Sequence, residues 1–171
     1  MRRFWLASFA ALALLAAPVL AHEVGTRIAP DAVLGVDLEG KPVTLAKFAG
    51  KPVLVVFWAS WCSDCMRELP TIEVLHKRWG ERAIVLGIST DASRRDLTRF
   101  LRKNKARFTI TVSHDADNQA ARVFNVREIP TNLLVDANGV IRWWRIGFDD
   151  KWLAELDTAL HEMQKPKAEK S

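Results

Sequence analysis

Apolar residues along this chain fall into two kinds of pattern. Two continuous apolar runs, Val53-Leu54-Val55-Val56-Phe57-Trp58 and residues 83–89, read as central strands covered on both faces, because a strand with one wet face would alternate. Between them the spacing becomes helical: from Cys62 to about Trp79, the residues Leu69, Ile72, Leu75 and Trp79 recur at helix intervals. Pro70 falls inside this helix, offers no N–H and crowds the carbonyl one turn back, so a kink is expected there. A second helix is expected from Ser93, with Leu97, Phe100 and Leu101 on its inner face and Ser93 and Asp96 suited to its cap.

Shorter elements flank this centre. Residues 33–38 and 43–45 surround Glu39-Gly40-Lys41-Pro42 and predict a short hairpin across a Gly/Pro turn. A short strand follows at residues 109–112 and a short helix at 118–124. Residues 131–136 and 140–146 are strands joined by Ala137-Asn138-Gly139, a tight turn that predicts an antiparallel hairpin. A closing helix starts near Asp149 and turns Trp152, Leu156, Ala159, Leu160 and Met163 to one face. The expected fold class is therefore α/β: a central mixed β-sheet sandwiched by helices, with an N-terminal hairpin. Trp58 is expected in the core; Trp143 and Trp144 must point to opposite faces of their strand, so one of them can be exposed.

Composition adds bounds. A chain of 171 residues with 49% hydrophobic residues can bury a core as one domain without structural metals or bridges, and a monomer is expected. Arg2 and Arg3, the apolar run 4–20 and the small-residue site Val19-Leu20-Ala21 read as an export signal over residues 1–21. Cleavage after Ala21 would make His22 the first residue; an uncleaved membrane anchor is the alternative, although Pro18 interrupts a run already short for a spanning helix. The domain is then expected over residues 22–165, with a solvated basic tail at 166–171. The formal net charge of +5 is a weak basic bias, and with no basic helix stripe, zinc-finger or RNA-binding signature visible, no nucleic-acid partner is expected.

Export changes how the two cysteines are read. In an oxidising compartment a pair usually forms a structural bridge, but Cys62 and Cys65 close almost no loop and restrain the unfolded chain little. Trp61-Cys62-Ser63-Asp64-Cys65 sits where a strand passes into a helix, and the free N–H groups and dipole there favour a thiolate. Cys62 is the expected nucleophile, and Cys65, one turn on and on the same side, is placed to resolve a mixed disulfide. Metal carriage, including a copper chaperone, an inert bridge and peroxide reduction of the peroxiredoxin kind stay open as alternatives. A closed zinc site needs four ligands where one pair and four scattered histidines are present, and Trp61 occupies the place of a hydroxyl-lined peroxide pocket. At a mature N-terminus the amine and imidazole of His22 can chelate copper, but a lone histidine is usually just solvated and that is the expectation here; His76, His114 and His161 receive no role.

From Val53 through Trp61-Cys62-Ser63-Asp64-Cys65 to Met66-Arg67-Glu68-Leu69-Pro70, then at Ile129-Pro130-Thr131 and Asp136-Ala137-Asn138-Gly139, the chain resembles the thioredoxin superfamily, and within it the TlpA/ResA-like exported reductases. The resemblance implies a thioredoxin-like fold, with residues 91–118 as the extra helix and strand these relatives insert. It implies that Pro130 is cis and that Ile129 offers its backbone to an extended substrate, beside Trp61 as a flat apolar platform. Thioredoxin's buried aspartate is replaced by Val56, so Glu68 is the expected proton carrier for Cys65. Ser63 and Asp64 stand where thioredoxin has Gly-Pro, and the charge of Asp64 is expected to disfavour the thiolate and make the dithiol a better reductant. The implied activity is thiol:disulfide exchange that reduces exported proteins, of the cytochrome c or copper-site assembly type, in the periplasm. No cofactor is expected, and a membrane thiol donor would recharge the pair.

Overall fold

The computed structural model describes residues 24–149 and 151–164. The expected leader, His22 and the basic tail lie outside the described residues. Seven strands, β1 (Val33–Val36), β2 (Pro42–Thr44), β3 (Val53–Trp58), β4 (Ile84–Ser89), β5 (Thr111–His114), β6 (Thr131–Val135) and β7 (Ile141–Ile146), form one sheet in the order β2-β1-β5-β4-β3-β6-β7. The helices are α1 (Ser63–Trp79), α2 (Arg94–Asn104), α3 (Gln119–Val123) and α4 (Trp152–Gln164).

The sheet is mixed, as expected. β3 runs parallel to β4, and β4 to β5, while β6 lies antiparallel on the other side of β3 and continues into the β6–β7 hairpin. All six residues of β3 are buried; alternation divides the first five between two cores, and Trp58 enters a third cluster at the end of the strand. Val53, Val55 and Phe57 join Leu34, Phe48, Ile88, Leu133 and α3's Phe124 flank on one face. Leu54 and Val56 join Ile72, Leu75 and Trp79 of α1 and Trp152, Leu156 and Leu160 of α4 on the other. Each such fully buried aliphatic or aromatic side chain contributes roughly 1.5–3 kcal/mol relative to exposure, which is why this strand centres the fold. Ala159 and Met163 of α4 pack at the margin of the second core, as their spacing predicts.

Several boundaries differ from the sequence expectation, each for a local reason. β1 stops at Val36 because the Asp37 carboxylate accepts the Glu39 and Lys41 amides and folds the chain into a turn. Leu45 leaves β2 to begin a short 3-10 turn, Leu45–Phe48. The strand expected at 109–112 starts at Thr111 instead, because the Thr109 amide and hydroxyl are both taken by the Glu73 carboxylate. Helix α1 runs through Pro70 as one element, with Pro70 on its exposed side where solvent reaches. Trp58 is fully buried between Phe100 and Phe108, and a Cβ on Gly87 would come within 2.9 Å of its indole nitrogen. Trp143 packs edge-on against Trp152, while Trp144 on the opposite face is exposed.

The charge pattern also needs a correction. Helix α2 carries Arg94, Arg95, Arg99, Arg102 and Lys103 exposed on its outer side, so a basic helical face exists where none was read in the sequence. The inward spacing of Leu97, Phe100 and Leu101 gathers the intervening cations onto one side. Among the described residues no helix is long and apolar enough to cross a membrane.

Candidate active site

β3 delivers the chain to the end of the sheet at Trp58, and residues 59–61 turn it into α1. The turn is closed by the Cys62 amide on the Ala59 carbonyl. Cys62 is the N-cap of α1 in extended conformation, and its Sγ accepts the Cys65 amide at 3.1 Å. An N–H bond and the positive end of a 17-residue helix thus both point at this sulfur, the environment that stabilises a thiolate. Cys62 and Cys65 are joined by a disulfide with their Cα atoms 5.2 Å apart. Cys62 keeps 7% of its surface accessible and Cys65 none, so an incoming group reaches Cys62 first.

Both sulfurs sit in an apolar cluster with Trp58, Ala59, Leu69 and Leu97, against which Met66, Phe100, Leu101 and Ile129 pack. Ile129 arrives from the far side of β3: the register Phe57↔Thr131 sets the segment before β6 next to the cysteine turn. The Ile129–Pro130 peptide is cis, as the resemblance implies, and the Pro130 carbonyl accepts the Gly147 amide. Trp61 is 71% exposed at the tip of the turn. Ser63 and Asp64 are exposed on the first turn of α1, and Asp64 is paired with Arg67 at 2.8 Å. That partner reduces the field Asp64 is expected to exert on Cys62.

Glu68 is fully buried on α1, one turn beyond Cys65. Its Oε1 accepts Asn132 Nδ2 at 2.5 Å, and its Oε2 has no hydrogen-bond partner among the described residues. Burial raises its pKa to about 7, against the smaller lowering effect of the Asn132 bond. Glu68 is therefore a buried carboxylate and not one on the helix surface. It titrates where a proton can be both held and released near neutrality.

Two supporting groups escape the sequence reading. Asn132 is the first: it lies on β6 as the register partner of Val56, beneath α1, in a fully buried strand whose one other polar residue is Thr131. The second is Asp91, at the end of β4 and 1% exposed. Its carboxylate accepts the Ser60 amide at 3.0 Å, the Ser60 hydroxyl at 2.7 Å and the Ser89 hydroxyl at 2.8 Å, so it fastens the turn two residues before Cys62. His114 on β5 bonds the Asp91 carbonyl through Nε2 at 2.7 Å. The available signals are a lone Asn at an inward position of a buried strand and a lone Asp two residues after the end of one. Among the described residues no group of three or more His, Cys, Asp or Glu side chains converges as a metal site would.

This arrangement matches known proteins in sequence as well as shape. A profile of the AhpC/TSA family covers residues 26–144. The chain belongs to this family. It is 31% identical over 121 residues to the thiol-disulfide oxidoreductase ResA of Bacillus thuringiensis, 70% of this chain and 67% of that protein. It is 31% identical over 122 residues to the thioredoxin-like protein YneN of Bacillus subtilis, 70% of this chain and 69% of that one. The chain thus spans about two thirds of the length of these curated relatives. Among solved structures, a Chlorobium tepidum protein described as thiol:disulfide interchange protein DsbE superposes with a TM-score of 0.71 at 25% identity, over 82% of this chain and 97% of that one. With its Cys62–Cys65 pair at the head of α1, this member of the AhpC/TSA family has the thioredoxin-like fold and is a thiol:disulfide oxidoreductase.

Proposed function

We propose that the protein reduces disulfides in exported proteins, with Cys62 as nucleophile, Cys65 as resolving thiol and Glu68 as proton carrier. The observation that carries this reading is the difference in access within the pair: Cys62 is reachable at the helix N-terminus and Cys65 is sealed beneath it. In the reduced enzyme the Cys62 thiolate attacks one sulfur of the substrate disulfide, forming a mixed disulfide and expelling the other sulfur as a thiolate. Cys65 then gives its proton to the Glu68 carboxylate and attacks Cys62 Sγ. The second substrate sulfur leaves as a thiol or thiolate, the Cys62–Cys65 disulfide forms, and two electrons have passed to the substrate. A dithiol donor at the membrane returns the enzyme to its reduced state.

Trp61 and the Ile129–Pro130 segment flank Cys62 and form the shelf on which an extended peptide lies. Substrates of the cytochrome c or copper-site assembly type, and a periplasmic location, accompany this reading. Reduction of insulin by the pre-reduced protein, followed as turbidity, is the direct test. Full loss in Cys62→Ser is expected, and an active Cys62→Ser protein would refute it. N-terminal analysis of protein recovered from the producing cell is expected to give His22; a chain beginning at Met1 would instead leave the domain tethered.

A further inference from the structure

The basic face of α2 is the strongest charge feature of the chain and has no part in the exchange chemistry. Residues 94–107 hold seven of the chain's 25 Lys and Arg and one of its 20 Asp and Glu, Asp96, an excess of six. The whole chain has a formal charge of +5, so everything outside this stretch is close to neutral. Arg102 and Lys103 near the helix C-terminus are accounted for by the dipole, which favours cations there. Arg94 and Arg95 are not, because they occupy the first turn, where cations are disfavoured. Arg94 is tied down by donating to the Leu38 carbonyl, but Arg95 has no such contact among the described residues. Arg94, Arg95, Thr98, Arg99 and Arg102 together line one concavity of about 540 Å³.

This face belongs to the side of the molecule that holds the cysteines. Leu97, Phe100 and Leu101, on the underside of the same helix, pack against the cluster containing Cys62 and Cys65. Between α1 and α2 runs a groove of about 550 Å³ lined by Met66, Leu69, Pro70, Phe100 and Phe108; on its walls Lys77 pairs with the Glu73 carboxylate at 3.5 Å, itself held by Thr109, and Arg107 is the remaining cation. An apolar channel beside a cationic face suits a peptide that carries carboxylates around one or two apolar anchors.

We infer that the α2 face and the adjoining α1–α2 groove form the docking surface for an acidic segment of the protein substrate. The inference rests on the reductase reading and names the substrate's chemical class. A lipid surface is another polyanion that this face could attract, and the entry point of the chain argues against it. Gly25 and Arg27 join the fold at Ile141 and Val140, the end of β7 away from Pro130, so any tether preceding Val24 attaches opposite the cysteines. α2 begins at the cysteine end, after Ser89 and Asp91.

The test compares two disulfide peptides of equal length, one with Asp and Glu flanking the cystine and one with Ser, as substrates of the native protein and of the triple variant Arg95→Gln, Arg99→Gln, Arg102→Gln. These positions are exposed, so the fold is retained. For the native protein at low salt the acidic peptide is expected to show a KM about tenfold lower at equal kcat, a preference that shrinks as salt rises. The triple variant is expected to lose that preference while turning over the Ser peptide normally. Anisotropy of a labelled acidic peptide with its cysteines replaced by Ser, added to the oxidised protein, measures the same contact without catalysis. Equal KM values and no binding would overturn the inference, and with the Ser peptide still reduced the reductase reading would stand. Binding of peptide without reduction of either substrate would overturn the reductase reading and keep the surface. Arginine-dependent sedimentation with phosphatidylglycerol vesicles, without a peptide preference, would assign the face to lipid and overturn the inference.

Discussion

The Glu68 carboxylate and the Asn132 carboxamide meet beneath α1, and Asn132 is itself the register partner of Val56 on β3. This places an ionisable group over the central strand although β3 carries none.

Stability should record the Glu68 proton. Its pKa in the folded, disulfide-bonded protein is about 7, above the ordinary 4.5, so the folded state holds the proton longer than the unfolded chain. The associated stability is fully present below pH 4.5 and is lost as pH rises through about 7. Glu68→Gln has no such dependence. The stability of the native protein relative to Glu68→Gln should therefore fall by about 3 kcal/mol between pH 4.5 and 8, from ~1.4 kcal/mol per unit. Urea denaturation of both proteins across that range measures it, and parallel curves would remove Glu68 from the proton path. In the reduced pair, thiol alkylation of Glu68→Gln should begin at lower pH, because a neutral neighbour no longer opposes the thiolate.

Roles within the cysteine pair follow from access. Cys65→Ser should accumulate a mixed disulfide through Cys62, visible by mass spectrometry without reductant, because nothing remains to resolve it. Cys62→Ser should trap nothing, since Cys65 is sealed. Trapping through Cys65 would reverse the assignment.

The elements were legible in the sequence wherever packing is continuous. The uninterrupted run of β3 and the helical spacing of α1 and α4 each bury a face that the pattern already describes. What was not legible depends on side chains meeting across distant segments. Glu73 reaches 36 residues to Thr109 and delays β5, and Asp91 reaches back 31 residues to Ser60. Asn132 finds Glu68 across 64 residues, and only the β3–β6 register sets it there. The basic face of α2 is hidden for another reason: its cations alternate with the apolar residues of the inner face, and folding separates the two sets.

Asp91 should act as a positioning residue for the cysteine turn. Asp91→Ala removes the acceptor of the Ser60 amide and both serine hydroxyls, leaving buried donors unpaired, so a destabilisation of about 2–4 kcal/mol is expected. Ser89→Ala removes one of these bonds and the acceptor of the Asp91 amide but leaves Ser60 held, so it should cost about 1–2 kcal/mol and spare turnover. Hydrogen exchange at the Ser60 and Cys62 amides separates a loosened turn from a global loss. Unchanged protection there in Asp91→Ala would show that the turn is held by other contacts.

Trp61 offers the cleanest separation of binding from chemistry. Its ring is 71% exposed and lies outside the apolar cluster around the sulfurs, so Trp61→Ala should change stability by no more than about 0.5 kcal/mol. A peptide laid against Cys62 covers that ring, and losing the contact should raise KM for a peptide disulfide about tenfold, or ~1.4 kcal/mol. A small disulfide such as 2-hydroxyethyl disulfide is too short to reach the indole while Cys62 attacks it, so its rate should hold. Trp61→Phe keeps a flat apolar ring and should recover most of the peptide KM. If both disulfides slow equally in Trp61→Ala, the ring supports the thiolate itself and the platform role is wrong.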